Sequence, residues 1–466
     1  MNGNDSRAAR TRRGTAMKRL ALSLSLVAAT VAAFAVALGS QSAAGSSAPP
    51  RAEHDHADHR AAMQERYLYV TTLSKSANDP DFIAVIGADP HHADYGRIVD
   101  RVDMPKTGDE LHHFGYSPDQ KRLIVPGLFS NRIHVFDVNG GGKKLQLRAV
   151  NEDLVADSGY VVPHGVMAMH GKLLAPMIGA ATDSTAPGGI VELDDETGEF
   201  ERYFGPGPTR EPVGLQPKYM YDFAMPPDAN RGISTTFGPP ALCGGGVDPS
   251  CLGDEVAVWD VEREKVIQTA DLGANNGALM VRFFSGKDVR RAFINTPGTS
   301  AVWLADDDDH DGVFDFQQVL GPNDGLLIPA DLLLSYDGRH MYVTNWFADT
   351  VQQFDITDPF KPKLNSTVSL PHPNMLRLSK DNKRLYVTNS LLSTWDDDTR
   401  FGPARNDDYG LWRFEVDRTT GKLTSVTADG SAWVSFENVH KQTTTGPAGP
   451  HMMLFDPSVR LEPGEH

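Results

Sequence analysis

Seven residues each open a copy of one recurring phrase: His113, His164, Asp222, Met280, Asp331, Met375 and His451. Three imidazoles and two carboxylates held in a common register are donor groups for a metal ion. Asp222 and Asp331 are also candidate general bases, since a carboxylate can take a proton from a substrate bound beside it. The thioethers of Met280 and Met375 serve either as core filler or as neighbours of a soft ion such as copper(I). His112 and His372 lie off the register, as partners that orient a ligand imidazole or as surface histidines, and Met280 is placed with them at the periphery of the site. Each residue taken singly has a plainer use, a hydrogen-bonded structural histidine or an aspartate capping backbone amides. The metal reading rests on the shared register.

The phrase that carries these residues is a short strand, a polar turn and a second strand rich in β-formers. It is clearest as HFGYSPDQKRLIV from His113, DLLLSYDGRHMYV from Asp331 and MLRLSKDNKRLYV from Met375. Weaker copies open at His164, Asp222, Met280 and His451, and several copies lead to a third strand of the type IHVFDV, VAVWDV, VQQFDI or LWRFEV. Most intervals between the starts fall between 44 and 58 residues. Such spacing is the signature of propeller blades of three or four strands. The copy at His451 has only its first strand before the chain stops. Its missing strands are supplied by YLYVTTL from Tyr67, FIAVIGA from Phe82 and GRIVDRV from Gly96. The predicted fold is therefore all-β, a seven-bladed β-propeller over residues 62–466, closed by amino- and carboxyl-terminal strands sharing one blade. The first strand of each blade faces the central channel, so the seven register residues are expected to approach one axis.

The amino end reads as an address. Leu20 to Leu38 carries no charge, follows Lys18 and Arg19, and is followed by the small residues Ser42, Ala43 and Ala44. That pattern predicts a signal peptide over residues 1–44 and export to the periplasm, cell surface or medium. Retained uncleaved, the same run is long enough to anchor the chain in a membrane. Residues 45–61 form a disordered linker in which His54, His56 and His59 could hold a soft metal loosely. With 61 acidic against 44 basic residues, the net charge is −17, and the leader itself is basic. A body this acidic is repelled by phosphate backbones, which excludes nucleic acid as a partner. Cys243 and Cys251 flank a Gly-rich loop, and in an oxidising compartment they are expected to form a disulfide. The loop ADDDDHDGVFDF places Asp307, Asp309, Asp311 and Asp315 around Gly312, and reads either as an acidic hairpin turn or as a calcium loop.

The phrases MPKTGDELHHFGY, VAVWD, VRFF, ADLLLSYDGRHMYVTNWFADTVQQFDITDP and LRLSKDNKRLYVTNSLLSTWD together resemble the selenium-binding protein/methanethiol oxidase family. The resemblance covers most of the chain after the linker. It implies a propeller, and an exported copper enzyme that oxidises methanethiol with oxygen to formaldehyde, hydrogen sulfide and hydrogen peroxide. It implies metal-binding roles for His113, His164, Asp222, Asp331 and His451. The chain departs from the family pattern at several points. Met280 stands where a Glu is usual, and Asn374 where a Gln is usual. Met452 follows His451 in place of a Glu, and Ser117 to Gln120 lack the family's cysteines.

The function expected is an exported, metal-dependent oxidase of a small thiol, with copper on the propeller axis and oxygen as co-substrate. Two alternatives stay open: a propeller lactonase or other hydrolase with an axial metal, and a non-catalytic propeller that binds a metal or a partner protein.

Overall fold

The computed structural model describes residues 65–180, 186–208, 214–226, 230–238, 251–285, 290–396, 408–437, 439 and 447–457. The leader and the His-rich linker, with His54, His56 and His59, lie outside the described residues, as does Cys243. Among the described residues no helix is long and apolar enough to cross a membrane.

Seven antiparallel sheets of four or five strands form the ring. The first runs inward through Ile98–Asp103, Phe82–Gly87 and Tyr67–Ser74 to Ala448–Phe455 at the axis. Its closing register sets Leu68 opposite Phe455 and Ser74 opposite Ala448. Asp456 fastens the seam, its Oδ2 accepting the amides of Arg66 at 2.9 Å and Tyr67 at 2.7 Å. The seven-bladed propeller and its shared blade are thus as expected from the repeat. The other inner strands are Gly115–Tyr116, Met167–Met169, Phe223–Ala224, Val281–Phe283, Pro329–Leu334 and Leu376–Leu378, in blades two to seven. Every register residue lies in its inner strand or within three residues before it.

Two local devices explain why the phrase repeats. In the turn, Ser117, Ser335 and Ser379 donate to Asp119, Asp337 and Asp381 at 2.7, 2.6 and 2.6 Å. The same hydroxyls accept the amides of Arg122, His340 and Arg384 at 3.0, 2.9 and 2.9 Å. The next turn position holds Gln120, Gly338 or Asn382 at φ of +58°, +67° and +55°, the left-handed region that Gly and Asn reach most cheaply. The second device is a buried threonine on the second strand. Thr71 donates to the His112 carbonyl at 3.1 Å and Thr344 to the Asn374 carbonyl at 2.8 Å. Thr235 and Thr388 do the same for the carbonyls of Leu279 and His451. Each bond runs from one blade to the next at the edge of the channel, so the threonines set the register residues at a common depth. Apolar side chains between blades do the rest of the packing. Leu376, Leu385, Val387, Trp412 and Phe414 of blade seven close on Val351 and Leu370 of blade six.

Candidate metal centre

Four imidazoles meet at one end of the channel. The ring centroids of His112 and His451 are 3.9 Å apart, and those of His113 and His164 are 4.2 Å apart. His112 lies 5.0 Å from His164, and His113 lies 5.4 Å from His451. All four are buried, none more than 6% exposed. Donor nitrogens of His112, His113 and His164 come within 4.8 Å of one another. The register places His113, His164 and His451 at one centre; their rings are neighbours in the structure, while the donor atoms that gather most closely are those of His112, His113 and His164. His112 joins them as a fourth member of the cluster rather than standing behind it.

The backbone around the cluster is fixed by buried carboxylates. Asp81 Oδ2 accepts the Leu111 amide at 3.0 Å, and Asp109 accepts Ser130 Oγ at 2.6 Å and Arg132 Nε at 2.8 Å. Glu110 takes a positive φ of 54° and accepts the Ser393 amide at 2.7 Å, holding the short helix Ser393–Asp396 against this segment. Burial pushes the Glu110 carboxyl up to about 7. Blades two and three meet directly at the site, where the His113 amide donates to the His164 carbonyl at 3.2 Å. Gly165 permits that approach, since a Cβ there would stand 3.0 Å from the His113 Cβ. Met452 Sδ accepts the Phe114 amide at 3.2 Å, so the closing strand also bears on the cluster.

Burial, and then the neighbouring imidazoles, hold His112 and His113 well below the ordinary histidine range. Burial likewise lowers His164 to about 3 and His451 to about 4. All four rings are therefore neutral at pH 7, the state in which imidazole binds a metal. The His451 Nδ1 lies 2.7 Å from the Ser390 carbonyl, which can only accept, so Nδ1 carries the hydrogen. Among the described residues its Nε2 is buried without a hydrogen-bond partner, as are His164 Nε2 and His112 Nδ1. The His164 ring lies against Tyr221, with ring centroids 3.5 Å apart. Buried nitrogens with free lone pairs are costly unless something occupies them, and the converging donor set here is that of His112, His113 and His164. The donor set suits a borderline transition metal such as copper or zinc.

The two aspartates take a different position. Asp222 Oδ2 accepts the Val281 amide at 3.0 Å and Arg282 Nη1 at 2.8 Å. Asp331 accepts the amides of Leu332 at 2.8 Å and Leu376 at 2.9 Å, with Arg282 Nη2 at 3.4 Å. Each carboxylate thus caps the inner strand of the next blade, and Arg282 bridges the pair. Burial raises Asp331 to about 6, against the pull of Arg282 and the amides. The residues whose donor atoms gather are histidines, and Asp222 and Asp331 stand beside them as an ion-paired neighbour. Met280 is buried in the core, its amide bound to Asn295 Oδ1 at 2.8 Å. His372 is packed edge-on against Trp346, with ring centroids 4.6 Å apart. Asn374 Nδ2 donates to the Ser390 carbonyl at 2.6 Å, the same acceptor that His451 Nδ1 uses, and so helps to fix that carbonyl in place.

Asp307, Asp309 and Asp311 also gather their carboxylate oxygens within 4.8 Å. Asp307 is already paired with Arg290 at 3.0 Å and accepts the Gly312 amide at 3.0 Å, while Asp311 accepts the Val313 amide at 2.7 Å. Asp315 opens the strand Asp315–Leu320. The loop is thus held by its own hydrogen bonds. Cys251 is described but its expected partner Cys243 is not.

Beside the cluster lies a small apolar cavity of about 40 Å³, walled among the described residues in part by His112, Tyr221, Phe237, Leu252, Leu391 and Trp395. Its walls come from loops that precede inner strands or follow second strands, so it opens at the same end of the ring as the imidazoles.

The sequence matches the family described as 56kDa selenium binding protein (SBP56) over residues 48–457. A methanethiol oxidase of Homo sapiens is 28% identical over 396 residues, 72% of this chain and 82% of the relative. A methanethiol oxidase of Xenopus tropicalis is 29% identical over 397 residues, with the same coverage. Among solved structures, a hypothetical selenium-binding protein from Sulfolobus tokodaii superposes with a TM-score of 0.71 at 25% identity, covering 85% of this chain and 94% of that one. The periplasmic gluconolactonase of Pseudomonas aeruginosa reaches 0.55 at 14% identity over 84% and 98%, a likeness of fold alone. With a seven-bladed ring, GDELHH at its axis and a family match over most of its length, the chain belongs to the 56 kDa selenium-binding protein family.

Proposed function

We propose that this protein is a metal-dependent oxidase of a small thiol, with copper as the ion and oxygen as the oxidant. The observation that carries the reading is the convergence of four buried, neutral imidazoles beside an apolar cavity. Relatives named methanethiol oxidase support the thiol as substrate. His113, His164, His451 and His112 would hold the ion. When bound, copper would supply the one-electron chemistry that zinc lacks.

The chain's own groups do the rest. The Ser390 carbonyl holds the His451 hydrogen on Nδ1 and thereby turns the Nε2 lone pair inward. The cavity strips water from an apolar substrate and sets its sulfur near His112. Arg282, held by Asp222 and Asp331, places a fixed positive charge near His113 and His164. That charge favours an anionic sulfur over a neutral thiol at the site. The carboxylates first considered as bases are spent on Arg282 and on backbone amides, which favours a role in holding the cation in place.

The same proposal includes export through a cleaved leader and a Cys243–Cys251 disulfide, supported by the apolar run from Leu20 to Leu38 and by the spacing of the cysteines. The test is to supply copper-loaded protein with methanethiol and oxygen and to measure the products. Hydrogen peroxide and hydrogen sulfide are expected in equal amounts. Bound copper without either product would refute the oxidase and leave a metal-binding propeller.

A further inference from the structure

The helix Ser393–Asp396, between the second and third strands of blade seven, is tied at both ends to segments that carry imidazoles of the cluster. At its start the Ser393 amide and hydroxyl both donate to Glu110, two residues before His112. At its end Asp396 Oδ2 accepts Ser390 Oγ at 2.6 Å, and Oδ1 accepts the Leu391 amide at 2.9 Å. Ser390 in turn presents the carbonyl that takes the His451 Nδ1 hydrogen at 2.7 Å. Lys75, just past the blade-one strand Tyr67–Ser74, closes the network by donating to Asp396 Oδ2 at 3.0 Å. The side chains of Lys75 and Asp396 are 8% and 3% exposed, and Ser390 is fully buried. Gly449 leaves the room that the Ser390 hydroxyl occupies, since a Cβ there would collide with it. A single turn of helix has little stability of its own, so these side-chain bonds are what fix it.

We propose that Asp396 is a positioning residue of the metal centre, holding the Ser390 carbonyl so that His451 keeps its hydrogen on Nδ1 and offers Nε2 to an ion. Which ring nitrogen of a neutral histidine carries the hydrogen is set by what the other one meets. With the carbonyl turned away, the hydrogen can move to Nε2 and remove the lone pair there. The direction of the carbonyl is a property of the turn at residues 390–392, and Asp396 binds that turn through the Ser390 hydroxyl and the Leu391 amide. Through Ser393 and Glu110 the same helix holds the segment that carries His112, whose ring centroid is 3.9 Å from that of His451. The consequence for metal affinity rests on the metal reading above, while the tautomer rests on these hydrogen bonds alone.

The test compares the full-length parent with Asp396→Ala in two measurements. The first is NMR of the metal-free proteins labelled with 15N-histidine, the His451 signals being assigned with His451→Gln. The parent should show one tautomer, with the hydrogen on Nδ1, and Asp396→Ala should show the other in roughly a tenth of the molecules or more. The second is copper affinity by equilibrium dialysis, expected to fall about 10- to 100-fold in Asp396→Ala while the circular dichroism of the propeller is kept. Should Asp396→Ala fail to fold, Ser390→Ala removes only the hydroxyl that Asp396 holds, and is read in the same way. A tautomer that stays wholly on Nδ1 in the folded variant would overturn the proposal, whatever the affinity. A changed tautomer with equal copper affinity, or with no copper bound by either protein, would support the positioning of His451 and refute its part in a metal centre.

Discussion

Replacing Arg282 with Leu tests whether the axial ion pair is what holds the inner strands of three blades together. The guanidinium lies 2.8 Å from Asp222 and 3.4 Å from Asp331, and these side chains are 14%, 6% and 2% exposed. At an effective dielectric of about 20, unit charges at those separations attract by about 6 and about 5 kcal/mol. Returning the guanidinium to water offsets much of this, and breaking a buried pair by removing one partner costs about 3 to 5 kcal/mol. The cost must depend on pH. Burial already raises Asp331 to about 6 in the folded protein, above the unfolded value of 3.8, despite Arg282. Without the guanidinium that carboxyl rises further. A folded pKa above the unfolded one means that the native state holds the extra proton, so stability is retained at low pH and lost as pH rises through the folded pKa. Arg282→Leu should therefore lose about 3 to 5 kcal/mol at pH 8 but only about 1 to 2 at pH 5, where Asp331 is protonated. Arg282→Lys keeps the charge but not the fork that reaches both carboxylates, and should fall between. Urea unfolding of metal-free protein at the two pH values measures these differences. A loss below about 1 kcal/mol at pH 8, or a larger loss at pH 5 than at pH 8, would refute the reasoning.

The buried imidazoles should take stability from the metal-free protein on acidification from pH 7 to pH 5. His164 and His451 have folded values of about 3 and about 4 against 6.5 unfolded, so the unfolded chain binds more protons in that window, at up to about 1.4 kcal/mol per pH unit per histidine. Glu110 and Asp331, raised to about 7 and about 6, add stability in the same window, so the histidine share is read against a His164→Gln/His451→Gln variant, and the same pH dependence of melting in parent and variant would contradict the burial of neutral imidazoles. At the seam of the ring, Asp456→Ala removes a charged acceptor from two amides and should cost about 3 kcal/mol in urea unfolding, with Asp456→Asn recovering part of it. A cost under about 1 kcal/mol would mean that the strand pairing alone closes the ring.

The fold was legible because the phrase records physical requirements that recur in blade after blade. The Ser–x–Asp turn needs its hydroxyl and its left-handed residue each time, and the buried threonine must reach the next blade's carbonyl each time. The register of first residues pointed to His113, His164 and His451 for the same reason. His112 lies off the register because it precedes the phrase that opens at His113, and alternation along a strand would turn it away from its neighbour. Residues 112–114 precede the strand Gly115–Tyr116, so that alternation does not govern them, and the two adjacent rings lie nearly parallel at 11°. Arg282 carries a signal along the chain. It stands two residues beyond Met280, and the period of two gives both the same face of an extended segment. What no pattern along the chain could reveal was the use of Asp222 and Asp331. Their partners, the amides of Val281 and Leu376 and the guanidinium of Arg282, belong to other blades.

The most direct measurement is copper binding by equilibrium dialysis, comparing the metal-free protein with a His113→Ala/His164→Ala variant. The imidazole centre predicts that the variant binds one equivalent fewer than the parent at neutral pH, while its circular dichroism stays that of a β-propeller. Equal copper binding by the two folded proteins would place the ion elsewhere and contradict the account.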